Sequence, residues 1–270
     1  MTARARPKKR LGQHWLADRN ILRRIVTAAD FTPEDTVVEI GPGKGALTGL
    51  LAERATRLIA VEVDPELAAG LREKYADAAN VTIVEGDVLE LGVEDILAAG
   101  GGAPPYVVAG NLPYFIGSPI VRKFLTAEVR PRWLLVMLQA EVAARMAGKP
   151  GEMAYLSAEV QLYAEPKLLF RIPARAFRPP PKVQSALLRL DVRESPGVEV
   201  ADERAFLETV QAGFAAPRKR LRNSLAVGLR ITATEAGAIL EDAGVDGDQR
   251  PQMLGLDAWR DLYAAVRRRS

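Results

Sequence analysis

The chain of 270 residues carries 37 basic and 34 acidic side chains, a net charge of +3, and 48% hydrophobic residues, enough to bury the core of an ordinary globular protein. With no cysteine and a single histidine, it excludes disulfides, thiolate nucleophiles, cysteine-held zinc and histidine-cluster metal sites, so no metal is expected. No run approaches the roughly 18 apolar residues of a membrane span, and MTARARPKKR lacks the apolar region of a secretory signal, so a cytoplasmic protein with no membrane attachment is expected.

The basic side chains cluster in the first ten residues, in PRKRLR at 217–222 and in RRR at 267–269. Each cluster alone reads better as a solvated tail or helix face. Three on one chain point to a polyanionic partner, foremost nucleic acid.

In chain order, Asp18 caps a helix whose apolar positions Ile21, Leu22, Ile25 and Val26 share one face. Strand-like runs then recur at TVVEI (36–40), RLIAVEV (57–63), VTIVEGD (81–87), YVVAGN (106–111) and WLLVML (133–138), with helix-like segments such as ALTGLLAERA and PELAAGLREKY between them. That alternation predicts βαβ units and an α/β fold whose parallel sheet is covered on both faces. PKLLFRIP and SALLRLDV flank the proline cluster FRPPPKV and are expected to pair as an antiparallel hairpin at the sheet edge. After ESPG, near residue 193, the periodicity is helical. Phe206, Leu207, Val210 and Phe214 form one stripe; Thr232 and Glu235 form a capping box ahead of Ile239 and Leu240, with Gly244 as a stop; Trp259, Leu262, Tyr263 and Val266 form the last stripe. The expected division is a sheet domain over 1–193 and a small all-helical domain over 194–270.

Gly41, Gly43 and Gly45 follow the first long strand directly and open a helix, where bare backbone admits a ligand. Lys44 is followed by glycine, so this is not a Walker loop. The third glycine comes one residue early for a dinucleotide fingerprint, and Glu39 before the turn would repel a pyrophosphate. S-adenosylmethionine, with an ammonium and a sulfonium in place of phosphates, removes that objection. Glu62, about 20 residues beyond the first glycine, is placed to accept the ribose hydroxyls, and Asp87 to take the adenine amino group. Each acidic residue alone reads as a cap; glycine turn, Glu62 and Asp87 at three successive strand ends read as a cofactor site.

A fourth strand delivers Asn111-Leu112-Pro113-Tyr114 to the same edge of the sheet. By itself the tetrad is also a plain strand-to-loop turn. Beside a methyl donor it fits an aromatic amine: the Asn111 oxygen and the Leu112 carbonyl accept its two N–H bonds, Pro113 fixes the loop, and Tyr114 stacks on the base.

LGQHWL, EIGPGKGALT, VEVD, EGDVL, GNLPYFIGSPI, QAEVAARMAGKPG, FRPPPKVQSALLRL and FAAPRKRLRNSL stand in the order and spacing of the KsgA-type ribosomal RNA small-subunit adenine dimethyltransferases, which the chain resembles over roughly residues 8–225. The resemblance implies a Rossmann-like class I methyltransferase sheet with a C-terminal helical domain that binds RNA. It implies transfer of four methyl groups from S-adenosylmethionine to the N6 amines of two adjacent adenines in a hairpin loop near the 3′ end of 16S rRNA, on assembling small ribosomal subunits, by a monomer. It adds His14 and Leu16 to Gly41, Gly43, Glu62, Asp87 and Asn111 as cofactor contacts, and Phe177 as a second aromatic wall against the base. His14 reads equally as a residue that contributes only its backbone, and Phe177 as a buried ring beside a turn. Lys182, Arg218, Lys219, Arg220 and Arg222 are the implied RNA contacts. Two positions depart from the family pattern: Trp15 stands where phenylalanine is usual, and Pro217 replaces the first basic residue of its run.

The competing readings are an Erm-type methyltransferase of one adenine in 23S rRNA that confers macrolide resistance, a DNA adenine methyltransferase, a non-catalytic ribosome-assembly or transcription factor on the same fold, and, more remotely, an NAD-dependent oxidoreductase. PPPKVQS and the helical tail favour the small-subunit type over the first, and the intact tetrad argues against lost catalysis.

Overall fold

The structure, a computed structural model, describes residues 13–269. The basic cluster of the first ten residues, and Leu11 and Gly12 of LGQHWL, fall outside the described residues. The chain forms two compact units: one of the residues up to Ala143 with Lys167–Val192, the other of Ala144–Pro166 with the residues from Arg193 onward. Residues 144–166, which chain order alone assigns to the sheet domain, therefore pack with the C-terminal helices.

A short strand β1 (Trp15–Leu16) leads into helix α1 (Arg19–Ala28), whose N-terminus is capped by Asp18 through bonds from the Asn20 and Ile21 amides. Then come β2 (Thr36–Ile40), α2 (Ala46–Ala52), β3 (Arg57–Glu62), α3 (Pro65–Lys74), β4 (Val81–Glu85), α4 (Val93–Ala99), β5 (Tyr106–Asn111), α5 (Gly117–Leu125) and β6 (Trp133–Gln139). α6 (Ala140–Met146), α7 (Tyr155–Tyr163), β7 (Ala164–Ile172), β8 (Phe177–Arg178) and β9 (Ser185–Val192) follow. The main sheet has seven strands in the order β4-β3-β2-β5-β6-β9-β7. β2 pairs in parallel with β3 and with β5, β3 with β4 and β5 with β6, while β6 and β9 are antiparallel. The expected pairing of the PKLLFRIP and SALLRLDV runs is met by β7 beside β9, and β9 also joins β6.

The central strands are buried because helices cover both faces: every residue of β2 is buried. Ile21, Leu22, Ile25 and Val26 of α1 and Leu47 and Leu51 of α2 pack on Val37, Leu58, Val107 and Leu135 in one core cluster. Each such side chain contributes roughly 1.5–3 kcal/mol on burial. Ahead of β2, the Arg132 guanidinium grips both oxygens of Asp35, a carboxylate only 1% exposed. Burial alone would raise Asp35, but the Arg132 and Thr32 bonds outweigh it and hold the carboxyl below its usual range.

The chain runs outward from β2 to β3 and β4, then returns to β5 on the other side of β2. This reversal opens a crevice at the carboxyl ends of β2 and β5, where open α/β sheets bind ligands. A separate ribbon of two strands joins β1 to β8, with Trp15 opposite Arg178 and Leu16 opposite Phe177.

The helical unit adds α8 (Glu203–Gly213), α9 (Leu221–Leu229), α10 (Ala233–Asp242) and α11 (Leu256–Arg269). Phe206 meets Tyr263 edge-on with ring centroids 6.1 Å apart, and Phe214 lies 5.4 Å from Trp259, so the stripes of α8 and α11 face one another. Thr232 and Glu235 form the reciprocal box at the start of α10, and Gly244 follows that helix with φ of +66°, as expected of its stop.

Candidate active site

At the crevice lies a cavity of about 220 Å3. It is lined from β2 and its turn by Ile40, Gly41 and Gly43, from β3 by Glu62, from the β4 end by Asp87 and from the β5 end by Asn111, Leu112, Pro113 and Tyr114, with His14 and Trp15 from the N-terminal segment. Residues from five places in the sequence thus meet in one concavity.

The glycine turn is built for close approach. Gly43 has φ of +58°, in the left-handed region, and a β-carbon on it would stand 2.8 Å from the Trp15 ring. Its amide donates to Glu62 Oε2 at 3.0 Å, while the Asp64 amide donates to Oε1 at 3.0 Å. Glu62 is 4% exposed. Burial raises its carboxyl above the usual range, although both amides pull the other way. Each carboxylate oxygen keeps a lone pair beyond those bonds. Asp87 accepts the Leu89 amide on Oδ1 at 2.9 Å, which leaves Oδ2 for a ligand.

Asn111 is oriented by the chain's beginning. Its Nδ2 donates to the His14 carbonyl at 2.7 Å, and because a carbonyl only accepts, the side-chain oxygen must be the other end of the amide. Leu112 donates its own amide to Met137 O at 3.1 Å, and the next turn closes from Ile116 N onto Pro113 O at 3.1 Å, so neither bond consumes the Leu112 carbonyl. The Tyr114 hydroxyl lies 2.6 Å from that of Ser185, a fully buried residue at the start of β9. Burial pushes the Tyr114 phenol above its usual range, so it remains a neutral hydroxyl. The His14 ring stacks on Tyr114 with centroids 5.7 Å apart, and its Nδ1 contacts Pro179 O at 2.8 Å, which requires the hydrogen on Nδ1.

Two expected contacts stand outside the cavity lining. The Leu16 side chain, 6% exposed, turns into the core and is absent from the cavity lining. Phe177 has no exposed surface: it pairs with Leu16 across the β1–β8 ribbon and joins the same core cluster, so it presents no face to a base in this structure. Both are drawn inward because that ribbon lies on the apolar cluster with α1. In their place the cavity gains Gln13, Trp15, Val63, Val88, Phe115, Ile116 and Ile120. Phe115, directly after the tetrad, is 60% exposed at this wall. Its position was the available signal, as PPPKVQS was for Ser185.

The RNA candidates divide by their partners. Arg220 and Arg222 reach Asp248 at 3.1 and 3.7 Å. Arg218, Lys219 and Lys182 are exposed and have no ion-pair partner among the described residues. No helix among the described residues is long and apolar enough to cross a membrane.

Among the described residues neither Lys nor Arg lines the cavity, whereas two carboxylates do. The site therefore suits a ligand with hydroxyls and positive charge and disfavours a pyrophosphate. A family model described as ribosomal RNA adenine dimethylase matches residues 4–260. The chain is 40% identical over 255 residues to a ribosomal RNA small subunit methyltransferase A of Dehalococcoides mccartyi strain CBDB1, covering 94% of this chain and 87% of that one. It is similar to the crystal structure of the 23S rRNA methyltransferase ErmE, with TM-score 0.73, 30% identity and coverage of 94% and 99%. A dimethyladenosine transferase from Plasmodium falciparum shares the fold with TM-score 0.78 at 22% identity, over 94% and 98% of the two chains.

Proposed function

The chain belongs to the ribosomal RNA adenine dimethylase family, and from that premise we propose that it dimethylates the N6 amines of two adjacent adenines in the 3′-terminal hairpin loop of 16S rRNA during small-subunit assembly. S-adenosylmethionine is its cofactor and supplies, when bound, a methyl group on a sulfonium. The observation that carries the reading is the junction of the glycine turn, Glu62, Asp87 and the Asn111–Tyr114 tetrad in one cavity.

The residues divide the work. Glu62 holds the ribose hydroxyls and Asp87 the adenine amine of the cofactor, while the bare turn at Gly41 and Gly43 lets its chain lie against backbone. The Asn111 oxygen, turned away from His14, and the Leu112 carbonyl accept the two hydrogens of the target amine. They thereby stabilise positive charge on nitrogen as its lone pair, delocalised in the ground state, becomes committed to a bond. No histidine base is required, because the proton becomes acidic only as that charge develops. Tyr114, fixed through its hydroxyl by Ser185, supports the base ring, and Phe115 at the rim offers a face to a flanking base; such stacking contributes about 1–3 kcal/mol per base.

Arg218 and Lys219 are the phosphate contacts of first rank, with Arg220 and Arg222 beside them in the same unit, and Lys182 is a further contact on the sheet unit. Action as a monomer is part of this reading, and a ribosomal substrate is consistent with the cytoplasm. The small-subunit target is favoured over the 23S target of ErmE by the 40% identity to the small-subunit enzyme, against 30% to ErmE. Incubation with radiolabelled S-adenosylmethionine and unmethylated small or large subunits tests this. Label on two neighbouring adenines of the small subunit is expected; label on the large subunit alone would overturn the assignment.

A further inference from the structure

Helix α1 carries charges that work against its own stability. Its sequence, RNILRRIVTA, holds three arginines and no acid, and Arg19 stands at the first helical position, where the helix dipole disfavours a cation. The Asp18 cap offsets this only in part. Arg19 and Arg23 lie four residues apart and are both exposed, a like-charge spacing that costs helix stability again. Arg24 is occupied, 3.9 Å from the centre of the Phe170 ring, but Arg19 and Arg23 have no ion pair or side-chain hydrogen bond among the described residues. Folding of the sheet unit gives no reason for this pair.

Both arginines line a groove of about 460 Å3 between α1 and α2. Its boundary with the cavity described above is a single layer of chain: Trp15 lines the cavity and Leu16 the groove, Gly43 the cavity and Gly45 the groove. Lys74 adds a third cation, tied by a 3.2 Å bond to the Gly45 carbonyl, and among the described residues Glu53 is the one acid of the lining. Lys44, between the two glycines, is exposed, and its ammonium stands 4.0 Å from the centre of the Trp15 ring. An acidic cavity thus adjoins a basic groove.

A base that enters the cavity leaves its phosphates outside, and the acidic lining offers them no partner. We propose that the α1–α2 groove is a further RNA-binding surface, in which Arg19, Arg23 and Lys74 hold phosphates of the RNA hairpin that presents the target adenines, an inference that rests on the substrate reading above. Three cations against one acid match a run of phosphates, whose contacts fix register without reading sequence. The groove belongs to the sheet unit, so it grips RNA separately from the Arg218–Arg222 run of the helical unit. Its place beside the cavity mouth makes it the contact that holds the strand while the base is turned in.

The test uses the full chain with Arg19→Gln and Arg23→Gln together, and unmethylated small subunits. The slope of log affinity against log salt should fall by about 2, one for each lost phosphate contact. KM for subunits should rise with kcat retained, as for binding shared by ground and transition states, and calorimetric affinity for S-adenosylhomocysteine should stay the same. Arg19→Lys with Arg23→Lys should restore the slope, because a phosphate contact needs the charge. A photoreactive phenylalanine analogue in place of Arg23 should crosslink to the hairpin that holds the two adenines. An unchanged slope, an equal loss in the lysine variant, weakened S-adenosylhomocysteine binding, or a crosslink to a ribosomal protein or to RNA outside that hairpin would overturn the groove while leaving the substrate reading intact. Label on the large subunit alone, with the unmodified protein, would overturn the two together.

Discussion

Glu39 is the fourth of the five residues of β2, only 1% exposed, and its Oε2 has no hydrogen-bond partner among the described residues. Burial above all, with the charge of Glu62 added, pushes its carboxyl up from 4.5 to about 7. The unfolded chain gives up this proton near 4.5 and the folded chain near 7, so between those values the folded state binds more protons. The stability from this carboxyl is therefore fully present below 4.5, declines as pH rises through the window, and stays lost above about 7. At about 1.4 kcal/mol per pH unit, the decline is on the order of 3 kcal/mol. Glu39→Gln keeps the shape and removes the titration. In urea unfolding across about pH 4 to 8, the parent should lose stability relative to Glu39→Gln by that amount as pH rises. A difference that stays constant with pH, or that slopes the other way, would refute the argument that burial governs this carboxyl.

Asn111→Ala should lower the rate of methyl transfer on the order of 100- to 1000-fold, the usual cost of removing one preorganised group at a developing charge. Binding to small subunits, measured by filter retention, should be nearly unchanged in that variant. Arg218→Ala and Lys219→Ala should each weaken subunit binding and reduce the slope of log affinity against log salt by about 1. Arg220→Ala, whose guanidinium already pairs with Asp248 at 3.1 Å, should change that slope less.

Much of the site was legible because its signals are local. A glycine turn after an apolar run, an acidic residue at the end of each following strand and a proline-stiffened tetrad can each be recognised within a few residues, and the parallel sheet assembles them without further instruction. The tertiary pairing of the N-terminal segment was not legible. Whether Leu16 and Phe177 face the ligand or the core depends on the β1–β8 ribbon, whose partners lie far apart in sequence. In the same way, nothing in QAEVAARMAGKPG announces that 144–166 packs with helices that come after residue 193.

The bond from Asn111 to the His14 carbonyl joins residues 97 positions apart, and its acceptor is main chain. Every amino acid carries that oxygen, so exchanging the imidazole for another side chain leaves the amide facing the same way. Shortening the stretch between Gln13 and Leu16 by one residue would not. For the orientation of Asn111, then, a point substitution at position 14 is tolerated and a single deletion is not, because what that amide takes from this segment is its path and not its chemistry.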